Sequence, residues 1–176
     1  LAGHGDAMTI GDPTDAGTEV GPLIRPAEVD RVDEWVREAV DGGGELISGG
    51  AKVSDSCYQC TVLYDPPADA RVSTNEIFGP VICVYPFDDI DEAIGRANAL
   101  PFAFQAAVCT RDIDTALHCY SQLNASAVMV NDHTAFRVDW MPFAGLGQSG
   151  HGVGGIHHTI HDMQIEKMLV VRSKAL

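Results

Sequence analysis

Positive charge is scarce in this chain of 176 residues, where 11 Lys and Arg face 25 Asp and Glu for a formal net charge of −14. Such a field repels a phosphate backbone, which argues against nucleic acid as a partner. Long apolar runs are missing too. No stretch approaches the ~20 residues that span a bilayer. The opening LAGHGDAMTI has no basic start followed by an apolar core, so neither a membrane partner nor a secretory leader is expected. A paired zinc pattern is also lacking. Cys57-Tyr-Gln-Cys60 is a single C-x-x-C, and it leads into the strand-like Thr61-Val62-Leu63-Tyr64 rather than opening a helix. The five cysteines are an odd number, and Cys83 and Cys109 lie in apolar strand-like runs. That usage predicts buried free thiols in a reducing cytoplasm. His157 and His161 stand four apart, as a zinc pair would, but His158 replaces the glutamate of a metalloprotease and no third ligand is evident. They read as surface histidines, and no metal is expected.

What is present alternates between helical and extended patterns. After a turn-rich stretch at 12–26, Val29, Val32, Val36, Ala39 and Val40 recur at helical spacing between Pro26 and the glycines 42–44. Residues 45–48 and 60–64 read as strands. Residues 81–85, 105–110 and 126–131 are continuous apolar runs of the kind buried on both faces. Helices capped by Asp88 or Asp89 and by Asp112 separate them. Strand and helix in alternation predict an α/β fold with βαβ crossovers and a parallel sheet. A Gly-rich loop at 132–155 is too long for a mere connector and marks a functional segment. A short helix near 156–163 and a last strand at 167–172 complete the order.

Before the first of those apolar strands stands Asn75-Glu76-Ile77-Phe78-Gly79-Pro80-Val81. A turn needs only Gly-Pro, so Glu76 and Phe78 call for a reason. Taken alone, the heptapeptide leaves two readings open. Glu76 caps the turn and Phe78 fills core, or both face a ligand. The heptapeptide does not stand alone. Together with GDPTDAGTEVGPLI (11–24), ANALPFAFQAAVCTRD (97–112), VNDHTAFRVDWMPFAGLGQSGHG (130–152) and EKMLVV (166–171), it resembles the aldehyde dehydrogenase superfamily in order and spacing. The loop and tail are most similar to the phosphonoacetaldehyde dehydrogenase-like branch.

The resemblance implies the later part of that catalytic domain over 1–163, followed at 164–176 by a strand used in oligomer assembly, as a homodimer or homotetramer. It implies NAD or NADP as coenzyme, with Glu76 accepting hydrogen bonds from the nicotinamide ribose and Phe78 packing beside the ring. A carboxylate suits two hydroxyl donors, and an aromatic face suits a flat ring. It implies an aldehyde pocket shaped by Phe136, Phe143 and Trp140, with Asn131 bracing the site through backbone hydrogen bonds. Arg137 matches the region where members acting on anionic aldehydes hold the anionic group, a task suited to a guanidinium fork. Its surface alternative is an ion pair with Asp132 or Asp139.

The resemblance also marks absences. The family's cysteine nucleophile, its base glutamate and its dinucleotide-binding turn have no counterpart here, since Gly150-x-Gly152-x-Gly154 is spaced differently and follows a loop. The segment is therefore expected to be inactive alone. Ala103 and Ala144 stand where the family usually has Gly, and Gly147 where it has a basic residue, which leaves room for a divergent member. The alternative reading is a non-catalytic assembly or regulatory module derived from the same family.

Overall fold

The first helix, α1 (Ala2–Ala7), is only six residues long, too short to leave a period in the sequence. The structure, a computed structural model, describes residues 2–174. The chain falls into two units, Leu1–Phe87 and Asp88–Leu176.

In the first unit, α2 (Pro26–Asp41) forms where the apolar spacing predicts it. Pro26 sits in the first turn, where a missing N–H costs nothing. Val29, Val32, Val36 and Ala39 are buried on one face. The helix stops as Gly42 N–H bonds to the Glu38 carbonyl at 2.9 Å and Gly43 takes a φ of 109°. Then β1 (Glu45–Ser48) runs antiparallel to β2 (Thr61–Tyr64). The single-turn α3 (Arg71–Thr74) carries the chain to β3 (Val81–Val84), which pairs parallel to β2. Tyr58, Leu63, Ala70 and Val72 close the core against α2, with Ile77, Val81 and Cys83 packed at its edge.

One carboxylate lies inside. Asp33 is buried, accepts a hydrogen bond from the Tyr58 hydroxyl at 3.3 Å and pairs with Arg37 at 2.8 Å. Burial, and behind it the Asp33 charge, pushes the Tyr58 phenol above its ordinary range, so the phenol remains a donor.

In the second unit, α4 (Ile90–Asn98) begins where Asp89 accepts from the Asp91 and Glu92 N–H groups. Next come β4 (Phe102–Ala103) and β5 (Gln105–Val108). The helix α5 (Ile113–Gln122) starts at Asp112, whose carboxylate accepts from Thr115 N–H at 2.8 Å. After it, β6 (Ala127–Val130) pairs parallel to β5, completing one βαβ unit. A short β7 (Leu146–Gly147) pairs antiparallel with β4, and α6 (Ile156–Asp162) follows.

Four expectations need correction. The sheets are mixed rather than uniformly parallel, because β1 and β7 join antiparallel to their neighbours. The apolar strand β3 is covered on one face only. Val81 and Cys83 pack toward α2, while Ile82, one residue out of phase, stays 52% exposed. Cys109 is exposed, not buried, because β5 ends one residue before it. Residues 167–172 form no strand within this chain. Met168, Leu169, Val170 and Val171 are exposed there, and β propensity makes no ladder without a partner edge. No helix among the described residues is long and apolar enough to cross a membrane.

Candidate active-site segments

The 75–80 loop leaves α3 as the Asn75 N–H bonds to the Arg71 carbonyl at 3.0 Å. Its side chains then alternate. Ile77 packs on the core, while Glu76 and Phe78 on either side of it are exposed, Phe78 at 76%. Glu76 has no hydrogen-bond or ion-pair partner among the described residues. Neither a turn cap nor core filling explains the pair in this chain. Phe78 also has a φ of 46°, a left-handed backbone that costs a bulky residue about 1–3 kcal/mol and persists only where surroundings enforce it.

The surroundings do enforce it. A Cβ on Gly79 would lie 2.9 Å from Val32 Cγ2, so glycine lets the loop rest directly on α2. The Pro80 carbonyl accepts from Thr61 N–H at 2.8 Å. Arg31 Nη2 donates to the Ile77 carbonyl at 2.5 Å, and its Nε donates to Glu28 Oε2 at 2.6 Å. The guanidinium carbon stands 4.4 Å from the centroid of the Trp35 ring. Hydrogen bonds from Arg31, then from Arg25, hold the Glu28 carboxyl below its ordinary range. Glu76 and Phe78 line a cleft of about 710 Å³, with Pro22, Leu23, Arg31 and Trp35 among its walls.

The sequence reading missed Arg31 and Trp35. The signal was the stripe Glu28, Arg31, Trp35 at i, i+3 and i+7 on α2, beside the buried valines.

In the second unit, Asn131 follows β6 with a φ of 57°. Its Oδ1 accepts from Thr110 N–H at 2.9 Å, and its own N–H donates to the Val108 carbonyl at 2.8 Å, tying the ends of β5 and β6 together. Farther along the Gly-rich loop, the Arg137 guanidinium lies 4.3 Å from the centroid of the Phe143 ring. That ring meets Phe104 edge-on, with centroids 4.7 Å apart. Phe143 also exchanges backbone hydrogen bonds with Gly154, at 3.0 and 2.7 Å. Arg137 makes no ion pair with Asp132 or Asp139 among the described residues. It borders a hollow of about 500 Å³ with Ile156, Ile160 and Met163. Phe136 and Trp140 are exposed, at 46% and 70%.

Cys57 is buried and Cys60 half-buried, both as free thiols ahead of β2. His157, His158 and His161 lie exposed on α6. Among the described residues, no three or more His, Cys, Asp or Glu side chains gather where they could hold a metal ion.

The aldehyde dehydrogenase family model matches residues 1–169. The chain is 36% identical over 166 residues to the 3-sulfolactaldehyde dehydrogenase of Priestia megaterium, covering 94% of this chain and 35% of that protein. Aldehyde dehydrogenase 21 of Physcomitrella patens, solved with its reaction product succinate, superposes with a TM-score of 0.90 at 32% identity, over 97% of this chain and 35% of that one. A glyceraldehyde-3-phosphate dehydrogenase of Methanocaldococcus jannaschii, solved with NADP, superposes with a TM-score of 0.86 at 32% identity, over 92% and 35%. This chain thus spans about a third of the length of the relatives it matches. On the match of nearly every residue to one family, the chain belongs to the aldehyde dehydrogenases.

Proposed function

We propose that this segment serves an NAD(P)-dependent oxidation of an aldehyde to a carboxylic acid, supplying contacts to the nicotinamide riboside and part of the substrate pocket. One observation carries the reading. A carboxylate with no partner among the described residues and a strained, exposed aromatic ring flank one partly buried residue and open on one cleft. Those groups fit a ribose diol and a flat ring better than they fit any internal role in this chain. The coenzyme, when bound, takes up the hydride that leaves the aldehyde carbon. This chain's part is to hold: Glu76 accepts hydrogen bonds from the two ribose hydroxyls, and Phe78 fixes the plane of the ring. NADP in a structural relative supports the class of coenzyme. The segment by itself does not turn over aldehyde.

In the whole enzyme, Glu76→Gln keeps the shape but exchanges a two-site anionic acceptor for an amide. Coenzyme binding, followed by NAD(P)H fluorescence, should weaken about tenfold, as expected for the loss of charge-assisted hydrogen bonds. Binding equal to the parent would end this reading of Glu76.

The preferred substrate is an anionic aldehyde. Arg137 is exposed, is held on an aromatic ring and has no carboxylate partner among the described residues, which leaves donors for an anionic group. A sulfonated aldehyde, a phosphorylated one and a dicarboxylic product belong to the names and structures of the relatives. In Arg137→Ala, KM for an anionic aldehyde should rise at least tenfold while a neutral aldehyde of equal length is unaffected. Equal changes for both would remove Arg137 from recognition. Phe136, Trp140 and Phe143 supply apolar wall, and Asn131 fixes the strand ends beneath it.

Residues 164–176 serve assembly into a homodimer or homotetramer. Ile165, Met168, Leu169, Val170 and Val171 are all exposed, an apolar run that gains by pairing with a partner edge. Truncation after Asp162 should lower the oligomeric state in sedimentation, and an unchanged state would refute the assignment. The five free thiols suit a reducing cytoplasm.

A further inference from the structure

We infer that Arg31 is a positioning residue for coenzyme binding, acting from α2 through the Ile77 carbonyl to set where Glu76 and Phe78 stand. This inference rests on the coenzyme reading of those two residues. Arg31 makes no hydrogen bond or ion pair with either side chain among the described residues. It grips the Ile77–Phe78 peptide, one of the two between them. Its Nη2 donates to the Ile77 carbonyl, its Nε to Glu28, and its flat face rests on Trp35. Glu28 is anchored in turn, since its Oε1 accepts from Arg25 at 2.8 Å. The guanidinium is thus held by Glu28 and Trp35 on its own helix as it reaches the loop.

Two features explain why such a clamp is needed. Phe78 takes a backbone conformation that an unrestrained chain abandons. And the loop's two exposed side chains contribute little burial of their own. Ile77 and Gly79 fix the loop's depth against α2, because one packs on the core and the other meets Val32. Neither contact fixes rotation about the loop's own axis. A hydrogen bond to the Ile77 carbonyl does, because turning that peptide swings Glu76 and Phe78 away from the cleft together.

Arg31 is not itself a coenzyme ligand. Although it lines the same cleft, two of its donor sites and its ring-facing surface are already engaged. Lysine cannot reproduce the arrangement, since one ammonium lacks the planar fork that serves Glu28 and the carbonyl at once.

The test uses the whole enzyme carrying this segment, with Arg31→Met, Arg31→Lys and Glu28→Gln beside Glu76→Gln. Arg31→Met should weaken NAD(P)H binding about tenfold, with Arg31→Lys and Glu28→Gln between it and the parent. Aldehyde KM should stay within about twofold of the parent, which a general loss of structure would not allow. Without coenzyme, hydrogen exchange should accelerate at amides 76–79 and stay unchanged in β1 and β2. Combined with Glu76→Gln, Arg31→Met should cost less than it does alone, because both act through one contact.

Parent-like coenzyme binding in Arg31→Met, with weakened binding in Glu76→Gln, would overturn the positioning role and leave the coenzyme reading standing. Parent-like binding in Glu76→Gln would instead remove the reading on which it rests. Faster exchange throughout α2 and the sheet, with both KM values raised, would make Arg31 a structural residue and also refute the proposal. If Arg31→Met does not fold, Glu28→Gln decides by the same readings.

Discussion

Replacing Phe78 by glycine should leave the fold nearly as stable as before while weakening coenzyme binding. The ring is 76% exposed, so about a quarter of its surface is at stake. Full burial of a phenylalanine is worth ~1.5–3 kcal/mol, which makes the loss on truncation roughly 0.4–0.8 kcal/mol. Glycine also enlarges the freedom of the unfolded chain, at a cost of about 0.5–1 kcal/mol. Against both stands the φ of 46°, which glycine adopts without strain and phenylalanine does not. Relief there returns at least about 1 kcal/mol. The terms nearly cancel, so the net change stays within about 1 kcal/mol, or ~4 °C in melting temperature for a domain of this size.

Binding behaves differently, because an aromatic contact with the coenzyme ring has no substitute in glycine. Affinity should fall about tenfold. Thermal melts and NAD(P)H fluorescence titration of the same variant read the two effects separately. A melting temperature lowered by about 10 °C or more, with affinity unchanged, would show that Phe78 supports the fold rather than the coenzyme.

Gly147→Lys restores the basic residue that the family resemblance implies, yet it should destabilise this chain by about 2 kcal/mol or more in urea unfolding. The backbone there has a φ of 58°, and a Cβ would lie 2.5 Å from the Pro101 carbonyl oxygen. Acid should also destabilise the protein. Hydrogen bonds from Arg31 hold Glu28 low, those from Arg71 hold Glu38 low, and those from Thr115 hold Asp112 low. Groups with folded values below their unfolded ones stabilise the fold fully above about pH 5, and that contribution fades as pH falls through the carboxylate range. In melts from about pH 7 down to pH 3, Asp112→Asn, which can still cap α5, should lose less stability than the parent, and an identical acid limb would refute the assignment.

The sequence carried the helices and strands whose chemistry is local. Valines at helical spacing marked α2, and Asp89 and Asp112 announced the starts of α4 and α5 through their own side-chain hydrogen bonds. The short elements α1, α3, β4 and β7 were illegible because one turn or one pair of residues leaves no period. Strand direction was harder still, since β1 reads like β3 but pairs antiparallel. The candidate site divides along the same line. Glu76 and Phe78 were legible because the question they pose, why a carboxylate and a ring at a turn, lies within seven residues. Arg31 was not, because a charged residue on an amphipathic helix normally faces water. Only its hydrogen bond to the Ile77 carbonyl, 46 residues along the chain, separates it from its solvated neighbours. A residue that touches a ligand declares itself by its own chemistry. One that aims such a residue is ordinary until the fold supplies its partner.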